Sequence, residues 1–249
     1  MIKINKILIV GGANGIGLSI AHEMATRQST EKVYVVDKSP IQEQYLHPKI
    51  ESFIFDLSVA DYSFFDRFTD IDALMITAGF GRIALFKDLS EQHIVDSFNV
   101  NTIGVLRLIK RFYWKLEGKE DFYCGVLDSI SGWMSSPFVS VYGATKAALK
   151  IFIESVNVEL QKGGSNNVIL NVSPGAIKGS AFYGGANDLD TLHDLTIDII
   201  RHLEAKDDVF IPKYEEVYKE VLQRYHDDFR KEGNHSYDYK KLSDRYNSK

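Results

Sequence analysis

Short apolar runs alternate with longer amphipathic stretches through most of the chain. Lys6–Val10, Val33–Val36, Ser52–Phe55, Ala73–Thr77, Tyr123–Ser129 and Val168–Val172 each have the length and apolar density of a strand. Helical periodicity fills the intervals at Ile16–Thr26, Tyr62–Phe68, Ile94–Leu116 and Val141–Leu160. The strands lack the polar–apolar alternation of a half-solvated sheet, so they must be covered on both faces. The pattern predicts an α/β chain built on a Rossmann-like, doubly wound parallel β-sheet flanked by helices on both faces. No repeat or linker interrupts it, and a single domain over residues 1–249 accounts for the whole pattern.

The later part reads differently. Ile177–Asp190, rich in Gly, Ala, Phe and Tyr, has no clear period and is expected to be a loop or broken helix. A helical stretch around Leu192–Leu203 and a short run Val209–Pro212 follow. An extra C-terminal helix then carries Tyr214, Val217, Tyr218, Val221, Leu222 and Tyr225 at helical spacing. Its polar face mixes both signs of charge, which favours packing within the protein over membrane binding. The polar tail beyond Gly233 is expected to fray.

Composition narrows the picture a little further. A net charge of -5 and the absence of a Lys/Arg cluster interleaved with aromatics argue against a nucleic-acid partner. No apolar run approaches the length of a membrane span, and Ile7-Leu8-Ile9-Val10 leads into glycines rather than a cleavage site. One cysteine, Cys124, excludes an internal disulfide and suits a reducing cytoplasm. Seven scattered histidines and a lone cysteine give no ligand spacing, so no metal is expected.

Between the first strand and the first helix stands Gly11-Gly12-Ala13-Asn14-Gly15-Ile16-Gly17. Glycines there let the backbone turn tightly and approach a pyrophosphate, whose charge the following helix N-terminus stabilises. Gly11, Asn14, Gly15 and Ile16 are the expected contacts. Asp37 closes the second strand, where a carboxylate accepts hydrogen bonds from adenosine ribose hydroxyls and repels a 2′-phosphate. Lys38 beside it can attract that phosphate. With no second basic group at Ala13, NAD is expected over NADP. Asp56-Leu57 can hold the adenine edge, and the small turn Ala78-Gly79 allows backbone to pass close to ribose.

Tyr142 and Lys146 share one helix face at i, i+4. The same spacing occurs at Tyr34/Lys38, Tyr45/Lys49 and Tyr237/Lys241, but only Tyr142 has a serine, Ser129, thirteen residues upstream at a strand end. Lowering a tyrosine from a pKa of about 10 to about 7 requires about 4 kcal/mol of phenolate stabilisation. One ammonium at about 4 Å supplies roughly that at an effective dielectric near 20.

These residues together resemble a family, the compact short-chain dehydrogenase/reductases. The matching set is Gly11-x-x-x-Gly15-Ile16-Gly17, Asp37, Asp56, Ala78-Gly79, Asn101, Ser129, Tyr142-Gly143-Ala144-Thr145-Lys146 and Asn171-Val172-Ser173-Pro174-Gly175, in family order over about three quarters of the chain. The resemblance implies hydride transfer between a nicotinamide and a small carbonyl or alcohol substrate. Tyr142 would be the acid/base, Lys146 would bind the nicotinamide ribose and tune Tyr142, Ser129 would hold the carbonyl, and Asn101 would anchor a water relay. Pro174, Gly175 and Ile177 would line the nicotinamide. Residues 1–175 would form the cofactor and catalytic core, 176–205 the substrate loop and helix, and 206–249 the C-terminal strand, helix and tail. The resemblance also implies a homodimer or homotetramer.

Val10, Thr77 and Gly179 depart from the family's usual Thr, Asn and Thr. Phe80, Trp133, Met134, Phe138, Phe182 and Tyr183 lie in segments that can surround the hydride site and point to an apolar or ring-bearing substrate. A non-catalytic dinucleotide sensor is the alternative, though such a chain tends to lose one of the four catalytic positions. A sugar-nucleotide epimerase or dehydratase shares the Tyr/Lys pair but usually carries a larger C-terminal substrate domain.

Overall fold

The computed structural model describes residues 4–59, 61–180 and 186–242. Seven strands form one all-parallel sheet in the order β3-β2-β1-β4-β5-β6-β7. They are β1 (Lys6–Val10), β2 (Lys32–Asp37), β3 (Ile50–Ile54), β4 (Ala73–Ile76), β5 (Tyr123–Leu127), β6 (Ile169–Val172) and β7 (Val209–Phe210). The doubly wound sheet expected from the pattern is present.

Both faces of the central strands are dry. Leu8 and Val10 face one core layer with Leu108, Phe112, Leu149 and Ile153. Ile7 and Ile9 face the other with Leu18, Met24, Ile199 and Leu203. The first layer is closed by α3 (Val105–Leu116) and α4 (Ser140–Lys162), the second by α1 (Gly15–Thr26) and α5 (Leu189–Ala205), while α2 (Glu91–Phe98) packs against α4. Strands with two buried faces need apolar residues at successive positions, which is why periodicity 2 is missing from the sequence.

Three elements differ from the sequence pattern. Tyr62–Phe68 is not an α-helix; it holds only a 3₁₀ turn, Ser63–Arg67. The stretch Ile94–Leu116 is not one uniform helix, because a wide π-type turn, Asn99–Gly104, separates α2 from α3. A π turn inserts backbone without breaking the apolar face, so the periodicity conceals it.

The third difference is the C-terminus. The Tyr-rich segment begins with a wide turn, Tyr214–Tyr218, and continues as α6 (Lys219–Asp227). The tail expected to fray instead contributes a further helix, α7 (Phe229–Leu242). The sequence of α7 is polar and lacks a strong apolar stripe, so contacts made elsewhere must hold it. Arg224 donates to the buried Glu232 at 2.8 Å and ties α6 to α7. Tyr237 stacks on Phe138 with centroids 4.7 Å apart. Lys240 donates to Ser136 Oγ and, at 2.8 Å, to the Pro137 carbonyl.

Candidate active site

The order of the sheet reverses between β1 and β4, and ligands of doubly wound sheets bind outside the strand ends at such a switch. The glycine turn stands there. Gly11 has φ +93° and donates to the Val36 carbonyl at 2.7 Å. A Cβ on Gly11 would overlap the Ala78 amide, and one on Gly17 would overlap the Gly11 carbonyl and Thr77 Oγ1. β1, α1 and the end of β4 therefore meet backbone to backbone, which only glycine permits. Thr77, one of the three departures, donates to the Gly11 carbonyl at 2.8 Å and pins the turn itself.

Asp37 fixes the other side of this turn. Its two carboxylate oxygens accept from the amides of Ala13 and Ser39, each at 3.0 Å. Lys38 is exposed. Asp56 accepts from the Ser58 amide at 2.8 Å, and this bond holds its carboxyl below the usual carboxylate range; Lys38 adds a smaller pull in the same direction. Leu57 is buried beside it.

Sequence reasoning missed Asn187 at the N-terminus of α1. Its Oδ1 accepts from the Gly15 amide at 2.7 Å, and its Nδ2 donates to Asn14 Oδ1 at 3.2 Å. The segment after β6 thus reaches the helix end expected to meet a pyrophosphate. Gly179 begins this approach at φ +80°, with its carbonyl accepting from the Asp188 amide at 3.0 Å. That backbone conformation gives a physical reason for glycine where the family often has threonine.

The chemical residues gather on the same side of the sheet. Ser129 follows β5 in extended conformation, 7% exposed, and its Oγ accepts from the Ser131 amide at 3.1 Å. The Ser131–Gly132 turn packs directly on the first turns of α4. A Cβ at Gly132 would come within 2.8 Å of the Lys146 carbonyl carbon, and one at Gly143 within 3.0 Å of the Ser131 carbonyl oxygen. Those two glycines let the serine segment lie against the helix that carries Tyr142 and Lys146.

Lys146 is 3% exposed, with Nζ 5.8 Å from the Tyr142 ring centroid and donating to the Leu127 carbonyl at 2.7 Å. Burial pushes its pKa down, and Asp128 opposes that shift. Asn101 lies in the π turn, fully buried. Its side chain donates to and accepts from the Phe80 backbone, at 2.8 and 2.9 Å, and also donates to Thr145 Oγ1 at 3.2 Å. A Cβ on Gly79 would touch Asn101 Oδ1 at 3.4 Å and Lys146 Nζ at 3.7 Å, so Gly79 separates these two groups.

One cavity of about 880 Å³ is lined by Gly11, Asn14, Gly15, Ile16, Asp37, Lys38, Asp56, Leu57, Ala78 and Gly79 at one end. Ser129, Tyr142, Lys146, Pro174, Gly175 and Ile177 line the same cavity. Asn101 is not on its lining and lies behind Phe80 and Thr145. Met134 and Phe80 are on the lining, whereas Phe138 is a buried support beneath α7 and Trp133 faces Ser173. Phe182 and Tyr183 lie outside the described residues.

The C-terminal helices add walls that no local motif signals. Tyr218, Ser236, Tyr239 and Lys240 border the cavity, and the Tyr218 hydroxyl sits directly over Gly175, where any Cβ would overlap it. Phe138 adopts φ +68°, a conformation unfavourable for an aromatic residue, where the Ser136–Phe138 loop meets α7. Among the described residues no cluster of three or more His, Cys, Asp or Glu side chains is placed to hold a metal, and no helix is long and apolar enough to cross a membrane.

Residues 5–187 match the family model described as short chain dehydrogenase. The chain belongs to the short-chain dehydrogenase/reductase family. A Claviceps purpurea short chain dehydrogenase/reductase is 29% identical over 189 residues, 69% of this chain and 62% of that protein. Human 17-beta-hydroxysteroid dehydrogenase type 1 is 28% identical over 185 residues, covering 68% of this chain and 56% of that protein. The match thus spans less than two thirds of these relatives. Among solved structures, a short-chain dehydrogenase/reductase from Burkholderia phymatum in complex with NAD superposes with a TM-score of 0.75 at 14% identity, over 92% of this chain and 95% of that one. An alcohol dehydrogenase from Thermococcus sibiricus complexed with 5-hydroxy-NADP gives 0.68 at 20% identity, over 84% and 96%. The family is thereby established, and the two solved structures share its fold.

Proposed function

We propose that this chain interconverts a small alcohol and its ketone or aldehyde with NAD as the hydride carrier. The observation that carries the reading is the convergence of the glycine turn, Ser129, Tyr142 and Lys146 on one cavity. The residues fit a dinucleotide: Gly11 and Gly17 let β1, α1 and the end of β4 close on one another, which sets the glycine turn and the N-terminus of α1 on the wall of the cavity. When bound, the nicotinamide supplies or accepts the hydride.

In the reducing direction, Ser129 Oγ donates a hydrogen bond to the substrate carbonyl oxygen and fixes its orientation. Tyr142 donates its phenolic proton to the same oxygen as charge develops there. Lys146, protonated and desolvated, stabilises the phenolate left behind. Asn101 holds the Phe80 and Thr145 side of the site and so fixes the wall behind Gly79 and Lys146. In the oxidising direction the proton moves back from the alcohol to Tyr142. A screen of alcohols and ketones with NAD(H) and NADP(H), followed at the nicotinamide absorbance, tests the reading. The likeness to the hydroxysteroid dehydrogenase, and to a Mycobacterium avium 3-oxoacyl-[acyl-carrier-protein] reductase that is 27% identical over 180 residues, justifies including steroid and acyl ketones in the screen.

Asp37 sets the cofactor preference. Its carboxylate is aimed by two backbone amides, and a 2′-phosphate would have to approach that fixed charge. Each hydrogen bond from ribose to a charged acceptor is worth about 1.5–3 kcal/mol, enough for tenfold or greater discrimination. The exposed Lys38 returns at most about 1 kcal/mol. NADH is expected to bind at least tenfold more tightly than NADPH, and Asp37→Ala should narrow that gap. Equilibrium titration of both cofactors checks this; tighter NADPH binding by the unmutated protein would assign the choice to Lys38.

The same reading includes self-association. Ile103 and Trp114 around α3, and Ile151 and Val158 on α4, are large apolar side chains left 47–60% exposed. An isologous pairing of these helices would cover them, giving at least a homodimer. Light scattering at micromolar concentration is expected to return twice the chain mass or more, and Ile151→Glu should lower it. A monomeric unmutated protein would contradict the pairing.

A further inference from the structure

Asp128 is a buried carboxyl that the mechanism above does not use. It lies between Leu127, whose carbonyl accepts from Lys146, and Ser129, and it is 2% exposed. A one-way chain of hydrogen-bond donors ends on it. Trp133 Nε1 donates to Ser173 Oγ at 2.8 Å, Ser173 donates to Asn171 Oδ1 at 2.6 Å, and Asn171 Nδ2 donates to Asp128 Oδ2 at 3.1 Å. Each donor polarises the next, and the sum favours negative charge at the end of the chain. The other oxygen, Oδ1, is buried with no hydrogen-bond partner among the described residues.

A buried carboxylate of this kind needs a cation, and α4 provides two. Lys146 and, more weakly, Lys150 pull the Asp128 carboxyl down, while burial pushes it up further, to about 6. Lys150 Nζ also sits 4.5 Å over the Trp133 ring, at the far end of the donor chain. The groups facing Asp128 are therefore Lys146 and Lys150 from α4, Asn171 from β6, and the amide of Ser129 in its own segment. Among the described residues, Lys146 donates directly to the Leu127 carbonyl, at 2.7 Å.

We propose that Asp128 is a positioning residue for proton transfer, a buried counter-charge that keeps Lys146 in its ammonium form beside Tyr142. It acts through Lys146 and forms no bond with substrate. The role rests on the assignment of Lys146 to the proton-transfer pair. A carboxylate serving only to tie the ends of β5 and β6 together would leave the titration of Lys146 unchanged on replacement by an amide of the same shape.

The test is an NMR titration of the full chain labelled at lysine Cε, with the Lys146 signal assigned by its loss in Lys146→Arg. In Asp128→Asn the midpoint of Lys146 is expected to fall by about one pH unit, and Asp128→Glu should recover part of that shift. Asp128→Ser supplies the neutral comparison if the asparagine variant does not fold. An unchanged Lys146 midpoint in the folded neutral variant would overturn the proposal. This readout needs no substrate, so it stands apart from the turnover screen that tests the enzyme reading. With a substrate from that screen, the alkaline limb of the kcat profile should move to lower pH in Asp128→Asn, because Lys146 loses its proton sooner. A limb that stays in place would count against Asp128 as strongly as a static NMR signal.

Discussion

Tyr142→Phe is expected to lower turnover by roughly two to four orders of magnitude while leaving NADH affinity within a few-fold of the parent. Phenylalanine keeps the ring on α4 and removes only the hydroxyl that donates the proton. Lys146 keeps its contact with the Leu127 carbonyl, and the glycine turn is remote from the change. The loss should fall on kcat, since the proton moves only as the transition state forms. Steady-state kinetics together with an NADH titration check both halves. Turnover near that of the parent would remove Tyr142 from the chemistry.

The second large effect is structural and concerns Gly11→Ala. The new methyl group meets the backbone of Thr77 and Ala78, and φ +93° is a conformation alanine resists. Backbone strain of about 1–3 kcal/mol adds to an overpacking cost of similar size. For a domain of this length each kcal/mol lowers Tm by about 2–4 °C, so the combined cost of about 2–6 kcal/mol gives an expected drop of roughly 4–24 °C, with NADH binding lost or strongly weakened. Gly164→Ala is the matched control. It also has positive φ, at +82°, but no atom lies within 4 Å of the added carbon. Its Tm should fall by clearly less, and NADH binding should be unchanged. Equal losses in the two variants, read by thermal unfolding and titration, would mean that the close approach of β1 to β4 does not matter.

The contrast between those glycines shows what was legible in the sequence. Lys6–Val10 was bounded correctly at both ends because a dry strand runs directly into glycines. β4, β5 and β6 are legible to within two residues for the same reason, since a doubly buried strand writes its position in consecutive apolar residues, whereas the edge strand β3 has no buried residue. Ser129, Tyr142 and Lys146 were legible as a spacing, and the structure brings them to the same cavity.

What escaped the sequence depends on contacts between distant segments. Asn187 touches Asn14 and Gly15 across more than 170 positions, and no local pattern distinguishes that asparagine from another loop residue. α7 is polar, and its order comes from Glu232, Tyr237 and Lys240 meeting Arg224, Phe138 and the Ser136–Pro137 carbonyl face. Asp128 reads as an ordinary strand-end acid until its burial and the donor chain from Trp133 are seen. The departures at Thr77 and Gly179 were visible as substitutions, but their reasons were not. One pins the glycine turn, and the other adopts a backbone shape that threonine resists.

The most direct test of the central claim is the nicotinamide absorbance of the unmutated protein incubated with NADH and a panel of small, steroid and acyl ketones. The account predicts steady oxidation of NADH with at least one ketone, and formation of one equivalent of the matching alcohol per NADH consumed. Saturable NADH binding with no consumption across the panel would contradict it and leave a dinucleotide-binding protein without ketone reduction.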